Sequence, residues 1–303
     1  MRNFMEMLRA KWAEGKFVCV GLDSELEKIP QRATQMSGAR AITFNRAIIQ
    51  QTSDLVCAYK PNIAFYASRG AEGLQDLVTT VYLIKELAPE VPIILDCKRA
   101  DIGNTNIGYV KEAFDVFGAD AITVNPYFGA EALQPFLERK EKGVIVLCRT
   151  SNKGATEFQN REVIIKQDGF RYEGVGRKLL SATPEVFAIP LYQLVAHRVA
   201  REWNKNGNCA LVVGATAPDE LAAVRNIVGD GFPILIPGIG KQGGDLEKTV
   251  NAGKDSKGQG MIINSSSGII FASSGGDFAE AARRETEKLH SGITEILKGA
   301  VAK

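Results

Sequence analysis

Asp96, Lys98 and Asp101 place a carboxylate, an ammonium group and a second carboxylate close together in the segment ILDCKRADIGNTN (94–106). Side chains two residues apart in a strand lie on the same side of a sheet, so Asp96 and Lys98 would share one face. Lys60, at the end of another apolar run, adds a second ammonium group. Ammonium and carboxylate groups that alternate keep each other charged even when buried. The segment therefore predicts a charged array that could move protons or stabilise charge.

The chemistry expected of such a lysine is that of a cationic proton donor. Neighbouring carboxylates favour its charged form, so they oppose the deprotonation that a Schiff-base nucleophile requires. The pattern favours acid catalysis or stabilisation of a carbanion by Lys98 over an aldolase-type mechanism. The structural alternative is a solvated turn with scattered charges, and the position of the segment in the fold has to decide between them.

Several classes of function have little support in the composition. The chain has 37 Lys and Arg against 35 Asp and Glu, so it lacks the large positive field that nucleic-acid binding requires. The chain has only two histidines, His197 and His290, both in polar helical surroundings, so neither a metal site nor a histidine-based triad is predicted.

The cysteines and the lengths of the apolar runs indicate the cellular location to expect for the protein. Five cysteines without a close pairing pattern fit buried, reduced thiols, and hence a cytoplasmic protein. Residues 1–16 carry charges throughout and lack the apolar core of a signal peptide. No apolar run approaches the length of a membrane span, so no membrane association is predicted.

Eight short apolar, β-branched runs alternate with amphipathic stretches such as 71–87, 108–117 and 218–228. Strands that are apolar on both faces belong to a sheet covered on both sides, as parallel sheets are. The pattern predicts an α/β protein with the (β/α)8 TIM-barrel fold, a single domain over residues 1–303. A doubly wound open sheet shares the βαβ signature and is the alternative. The runs lie at 16–22, 55–61, 91–98, 121–126, 143–149, 209–215, 232–238 and 260–266.

A long insert, at about 150–208, separates the fifth and sixth predicted strands. It is largely polar and ends in a helical pattern around LYQLVAHRVAREW. Loops of this length in a compact domain tend to be lids or binding loops, which is the role expected here.

In a barrel of this kind the functional groups sit at the C-terminal ends of the strands, where the connecting loops meet. The charged array falls at this end, and the other predicted strands are followed by polar or glycine-rich residues too. The set, in chain order, is Asp23, Lys60, Asn62, Asp96, Lys98, Asp101, Asn125, Arg149, Thr150, Ser151, Gly214, Thr216, Pro237, Gly238, Gly240, Gln242, Ser265, Ser266 and Ser267.

Two segments near the end of the set suit a phosphate group. PGIGKQGGD (237–245) follows the seventh predicted strand, and NSSSGI (264–269) follows the eighth. Glycines allow the backbone to approach closely, and amide N–H groups at the start of a helix suit a dianion. An ordinary turn is the alternative for a glycine-rich loop.

The string formed by Asp96, Lys98, Asp101, Ile102 and Thr105, with Lys60 upstream, resembles the core signature of the orotidine 5'-monophosphate decarboxylases. The resemblance runs from about residue 18 to residue 270 and is greatest to the second bacterial class. It implies decarboxylation of this nucleotide to uridine 5'-monophosphate, in pyrimidine synthesis, without a metal or an organic cofactor.

The resemblance also implies a role for each matching residue. Lys98 would protonate C6 as the carboxylate leaves as CO2, with Asp96 against that carboxylate and Lys60 in the charge network, touching the ribose. Asp101 and Ile102 would complete the site of a partner subunit, so a homodimer is implied. The remaining matches concern the nucleotide: Asp23 and Thr105 with the ribose, Ser151 with the pyrimidine and Gln242 towards the phosphate.

The sequence departs from the family at the end of the eighth predicted strand. An arginine that grips the phosphate is expected there, and Ser267 stands in its place, with Lys241 as a nearby cation. A nucleotide-binding barrel with little turnover is therefore an alternative function. A metal-dependent phosphosugar lyase or decarboxylase of the same fold is another, although the additional acidic ligand expected for it is missing.

Overall fold

Eight parallel strands form a barrel in the computed structural model, which describes residues 2–34, 40–166, 177–179, 186–240 and 243–301. The strands are β1 Val18–Gly21, β2 Val56–Lys60, β3 Ile94–Arg99, β4 Ala121–Val124, β5 Gly143–Arg149, β6 Glu162–Lys166, β7 Arg177–Leu179, β8 Val186–Pro190, β9 Cys209–Val213, β10 Ile234–Pro237 and β11 Met261–Ser265. The barrel order is β2-β1-β11-β10-β9-β5-β4-β3, and bridges between β2 and β3 complete the ring. The predicted TIM barrel is therefore confirmed, and the open-sheet alternative is wrong.

Helices cover the outside of the barrel. They are α1 Phe4–Ala13, α2 Arg40–Thr52, α3 Ala64–Ala67, α4 Gly70–Leu87, α5 Gly103–Val110, α6 Gly129–Leu137, α7 Leu191–Arg198, α8 Pro218–Val228, α9 Leu246–Gly253, α10 Ser267–Ile270 and α11 Phe278–Val301. α5 and α7 continue into π-helical segments, at Lys111–Val116 and Val199–Trp203. Short 3₁₀ turns lie at Leu26–Lys28, Gln31–Thr34, Pro126–Phe128, Lys153–Glu157 and Asn204–Asn206.

The barrel core consists of the apolar runs that predicted the strands. Every residue of β4 and β9 is buried, as expected for strands with helices outside and a packed interior. Helix α1 contacts the beginnings of the strands: the Trp12 indole N–H donates to the carbonyl of Met261 at 2.8 Å. Phe4 packs where Gly143 leaves room, because a Cβ at Gly143 would lie 2.3 Å from the Phe4 ring. The N-terminal end of the barrel is thus closed by α1.

The segment between β5 and β9 contains a structure that the sequence pattern did not indicate. β6, β8 and β7 form a small antiparallel sheet separate from the barrel, with β8 in the middle. The helical pattern predicted at its end corresponds to α7 and the π-helical segment that follows. Its role as a lid or binding loop, and the single-domain organisation of the chain, stay predictions.

Arg225 on α8 is a buried cation that holds the beginnings of the last barrel strands together. It donates to four carbonyls, at 2.8–2.9 Å, those of Gly229, Phe232, Gly253 and Gly260. Burial lowers the pKa of Arg225 to about 10, so the guanidinium remains charged at neutral pH.

Replacing Arg225 with Met is expected to lower the free energy of unfolding by about 3–5 kcal/mol, because buried carbonyls lose a charged donor. Urea denaturation measures the change. Arg284→Met is the matched control, since Arg284 pairs with Asp277 at the surface and such an exposed pair contributes little to stability. Equal stabilities of the two variants would show that the buried contacts are not what stabilises this end of the barrel.

Candidate active site

The predicted charged array forms at the C-terminal ends of β2 and β3. Lys60 Nζ lies 2.9 Å from Asp96 Oδ2, and Lys98 Nζ lies 2.6 Å from Asp96 Oδ1. The side chains of Lys60 and Asp96 are 5% and 12% exposed, whereas that of Lys98 is 50% exposed. Asp96 therefore holds two ammonium groups in place, and Lys98 is the one that can meet a ligand.

Burial and mutual attraction oppose each other in this array. Burial by itself lowers the pKa of Lys60, but the charges of Asp96 and Asp23 outweigh it and raise that pKa above its ordinary value. Burial by itself raises the pKa of Asp96, but Lys60 and Lys98 outweigh it and hold that pKa well below its ordinary value. Lys60 and Asp96 therefore both stay charged across the neutral range.

The backbone at Lys98 is strained. Its φ of +48° is the only positive φ at a residue other than glycine within the described ranges. The pairing of β3 with β4 shifts register between Leu95 and Arg99, so the strained residue lies in an irregular stretch of the strand. A non-glycine residue in this region costs on the order of 1–3 kcal/mol, and such strain clusters at functional sites. The strained backbone at the end of β3 thus sets the direction of the Lys98 side chain.

The array opens into a cavity of about 580 Å³ at the mouth of the barrel. Twelve of the predicted site residues line this cavity together: Asp23, Lys60, Asn62, Asp96, Lys98, Thr150, Ser151, Pro237, Gly238, Ser265, Ser266 and Ser267. Polar groups from strands on both sides of the barrel therefore converge on one space, as predicted. The alternative of scattered charges on a solvated turn does not describe the site.

The predicted phosphate end of the cavity depends on a close approach between β1 and the loop after β11. A Cβ placed on Gly21 would lie 1.8 Å from Ser266 Oγ, so only glycine leaves room for Ser266 there. Ser266 precedes the short helix α10, which begins at Ser267. Pro237 and Gly238 line the same cavity from the end of β10.

The other predicted site residues that the structure describes do not line the cavity of their own chain. Ile102 is 64% exposed, and its N–H donates to Asp101 Oδ1 at 2.7 Å. Thr105 is exposed on α5, and Gly240 is exposed in the loop after β10. Asn125 Oδ1 accepts the N–H of Tyr127 at 3.0 Å and so caps a turn. Gln242 and Lys241 lie outside the described residues.

Other cavity residues were not singled out by the sequence. Leu147, Val212 and Leu235 provide an apolar surface that suits a flat ring, but in the sequence they are ordinary members of apolar runs. Glu25 and Lys28 pair at 2.7 Å beside the cavity. The complete set of such residues is Glu25, Lys28, Phe65, Thr123, Leu147, Asn152, Val212, Leu235, Ile239, Asn264 and Gly268.

The described part of the chain shows no group of three His, Cys, Asp or Glu side chains placed to hold a metal ion. The five cysteines are free, four of them buried, and burial raises the pKa of the Cys19 and Cys97 thiols to about 12. None of the helices searched in the described residues could cross a membrane.

Fold and site together define a (β/α)8-barrel protein with a charged cavity at the C-terminal ends of its strands, which is where enzymes of this fold carry their active sites. Residues 16–171 match the model of the orotidine 5'-phosphate decarboxylase / HUMPS family. An orotidine 5'-phosphate decarboxylase of Ralstonia pickettii is 47% identical over 284 residues, 93% of this chain and 94% of that protein. One from a Janthinobacterium strain is 47% identical over 97% of this chain and 99% of that protein. The chain belongs to this family.

Solved structures agree with this assignment. The structure of Leishmania donovani OMP decarboxylase is similar with a TM-score of 0.75 and 33% sequence identity. The match covers 96% of this chain and 99% of that one. The barrel and the long segment between β5 and β9 therefore lie within the matched length.

Proposed function

We propose that this protein decarboxylates orotidine 5'-monophosphate to uridine 5'-monophosphate and CO2 without a metal or an organic cofactor. The observation that carries the proposal is the Lys60–Asp96–Lys98 array inside the barrel cavity of a chain from this family. The reaction is a step of pyrimidine synthesis. Its proposed location is the cytoplasm, whose reducing conditions suit the five free cysteines.

The array suits the chemical problem of this reaction. When the bond between C6 and the carboxylate breaks, its electron pair stays on C6, in an orbital that no adjacent π system can absorb. A fixed positive charge beside C6 stabilises that pair, and a proton from Lys98 Nζ then forms the new C–H bond. Lys98 is left neutral and regains a proton from water. Charges that the folded protein holds in position before the reaction, in a site with little water, usually make the largest single contribution to the rate acceleration.

Asp96 and Lys60 support Lys98 in this mechanism. Asp96 stays deprotonated between the two ammonium groups, and it would lie against the substrate carboxylate, which leaves as neutral CO2. Lys60 is buried and pairs with Asp96. The negative charge of Asp96 is therefore shared between two ammonium groups and does not fully neutralise Lys98. Lys60 would also contact the ribose.

The rest of the nucleotide fits the remaining cavity residues. The pyrimidine would lie near Ser151 and the apolar surface of Leu147, Val212 and Leu235. The phosphate would lie at the other end of the same space, and the ribose between them. The proposed ribose and phosphate contacts among the cavity residues are Asp23, Asn62, Pro237, Gly238, Ser266 and Ser267. Asn125, Gly240 and Gln242 stay contacts predicted from the sequence alone.

We also propose a homodimer in which Asp101 and Ile102 complete the site of the partner, with Thr105 close to the shared ribose. The end of β3 and the turn after β4 expose apolar side chains that a second copy could cover. Ile102 is 64% exposed and Tyr127 is 92% exposed. A large exposed apolar group beside a binding cavity is typical of a protein interface.

The loss of orotidylate absorbance, followed with purified protein in the presence of a chelator, tests the proposed activity. Turnover that persists in chelator supports the cofactor-free mechanism. Turnover that the chelator abolishes would favour a metal-dependent enzyme of the same fold. Uridine 5'-monophosphate binding without turnover, measured by calorimetry, would favour a nucleotide-binding barrel, an alternative that the comparisons do not support.

Ser267→Arg is expected to lower KM for orotidylate roughly 10- to 100-fold, because a charge-assisted contact with the phosphate contributes about 1.5–3 kcal/mol. Binding energy from a remote phosphate can also assist the reaction, so kcat is expected to rise or to stay unchanged. Steady-state kinetics measure both constants. Ser267→Met is the matched control, since it adds length without charge. A KM that does not change in Ser267→Arg would show that another group already supplies the charge.

A further inference from the structure

Thr123 lies in the middle of β4, directly beside the irregular end of β3. It is 1% exposed and lines the cavity. The sequence shows it only as one polar residue in the apolar run AITV. The strained φ of Lys98 and the register shift of β3 occur opposite this residue.

The Thr123 hydroxyl makes three contacts with β3. Its oxygen accepts the backbone N–H of Cys97 at 3.0 Å and that of Lys98 at 2.9 Å. The hydroxyl donates to Asp96 Oδ1 at 3.0 Å. Asp96 Oδ1 is also the oxygen that Lys98 Nζ contacts at 2.6 Å. One hydroxyl thus touches the backbone of Lys98 and the carboxylate that holds its side chain.

These contacts use the whole hydrogen-bonding capacity of the hydroxyl. A threonine hydroxyl has one donor and two acceptor positions, and all three are occupied. Both acceptor positions face backbone N–H groups, so the proton can only point to Asp96. The hydroxyl has no further group to offer a ligand, and its effect on a ligand must pass through Asp96 and Lys98.

We propose that Thr123 is a positioning residue for decarboxylation, holding the backbone of Lys98 and the carboxylate of Asp96 in the geometry that the reaction needs. The inference rests on the function proposed above. Without the hydroxyl, two partly buried N–H groups lose their acceptor and the left-handed turn at Lys98 loses its support. The ammonium group of Lys98 would then be displaced relative to the cavity, although every charge of the array is still present.

Thr123→Val keeps the shape of the side chain and removes the hydroxyl. We expect kcat to fall between about 10- and 100-fold with KM changed less than about 3-fold, because a small misplacement of a catalytic group mainly affects the reaction step. Thr123→Ser keeps the hydroxyl and should recover most of the loss. If Thr123→Val does not fold, Thr123→Ala against Thr123→Ser makes the same comparison.

Amide hydrogen exchange at Cys97 and Lys98, followed by NMR, provides a measurement that does not depend on turnover. These two amides should exchange faster in Thr123→Val than in the wild type, and not in Thr123→Ser. Thr286→Val is the matched control, because Thr286 is a buried threonine of α11 whose hydroxyl donates to the carbonyl of Ala282. It should lower the melting temperature and leave kcat and both amides unchanged.

The outcomes separate this inference from the proposed function. A folded Thr123→Val protein with wild-type kcat would overturn the positioning role, and so would an equal loss in Thr123→Ser. If the wild type itself does not turn over orotidylate, the proposed function fails. The exchange of the two amides then decides whether Thr123 holds the end of β3.

Discussion

Replacing Lys98 with alanine is expected to lower kcat/KM for orotidylate by at least about 10⁴-fold, because one group supplies both general acid catalysis and charge stabilisation. Lys98 is the exposed member of the array, 2.6 Å from Asp96 and open to the cavity. Lys60 would still pair with Asp96 in the variant, so the array loses its proton donor without losing its buried pair. Single-turnover measurements of orotidylate loss can follow a rate this low.

Two further variants separate the charge of Lys98 from its proton. Lys98→Arg keeps a positive charge near C6 but holds its proton too tightly to donate it. Partial recovery in Lys98→Arg would show that the charge contributes apart from the proton. Lys248→Ala is the control, since Lys248 is an exposed lysine outside the cavity. A Lys98→Ala protein within tenfold of the wild-type rate would contradict the proton-donor role.

The barrel could be predicted because each of its strands corresponds to a separate apolar run in the sequence. Each strand is a short apolar run covered on both faces, and the fold then requires the polar residues that follow these runs to meet at one end. Asp96 and Lys98 could be placed on one face by strand periodicity alone. This reasoning needs no knowledge of side-chain contacts, so it succeeds for the array and for the cavity that surrounds it.

The remaining features depend on contacts that the sequence pattern does not contain. The φ of +48° at Lys98 occurs where β3 shifts register against β4, and no local motif signals it. Thr123 belongs to an apolar run and acquires its three hydrogen bonds only when the two strands pair. In β6, Ile164 is 69% exposed. This strand is therefore not a fully buried apolar run like those of the barrel, and the sequence pattern did not indicate it.

Asp101 raises a different question, because the fold leaves it outside the cavity of its own chain. Its carboxylate accepts the N–H of Ile102 at the start of α5, and neither residue lines the cavity that Lys98 enters. Of the three predicted catalytic residues in this segment, Asp96 and Lys98 thus line the cavity of their own chain and Asp101 does not. A shared site explains the separation, because Asp101 would act in the partner while Lys98 acts in its own subunit.

Complementation between subunits tests this explanation. Lys98→Ala and Asp101→Ala are each expected to be nearly inactive as homodimers. In a heterodimer with one subunit of each kind, one site combines a wild-type Lys98 with a wild-type Asp101, and the other site lacks both. A heterodimer isolated through two different affinity tags should therefore regain about half of the wild-type kcat, as expected for one intact site of two in a symmetric dimer.

A heterodimer of Lys98→Ala with Asp96→Ala is the matched control for the complementation. Asp96 and Lys98 contact each other within one chain, so each of its two sites lacks one member of the array and the heterodimer should stay inactive. Activity in this control would mean that subunits exchange whole sites or that wild-type protein is present. A Lys98→Ala and Asp101→Ala heterodimer that stays as inactive as its parents would show that Asp101 acts in its own subunit. The exposed position of Ile102 would then need another partner to explain it.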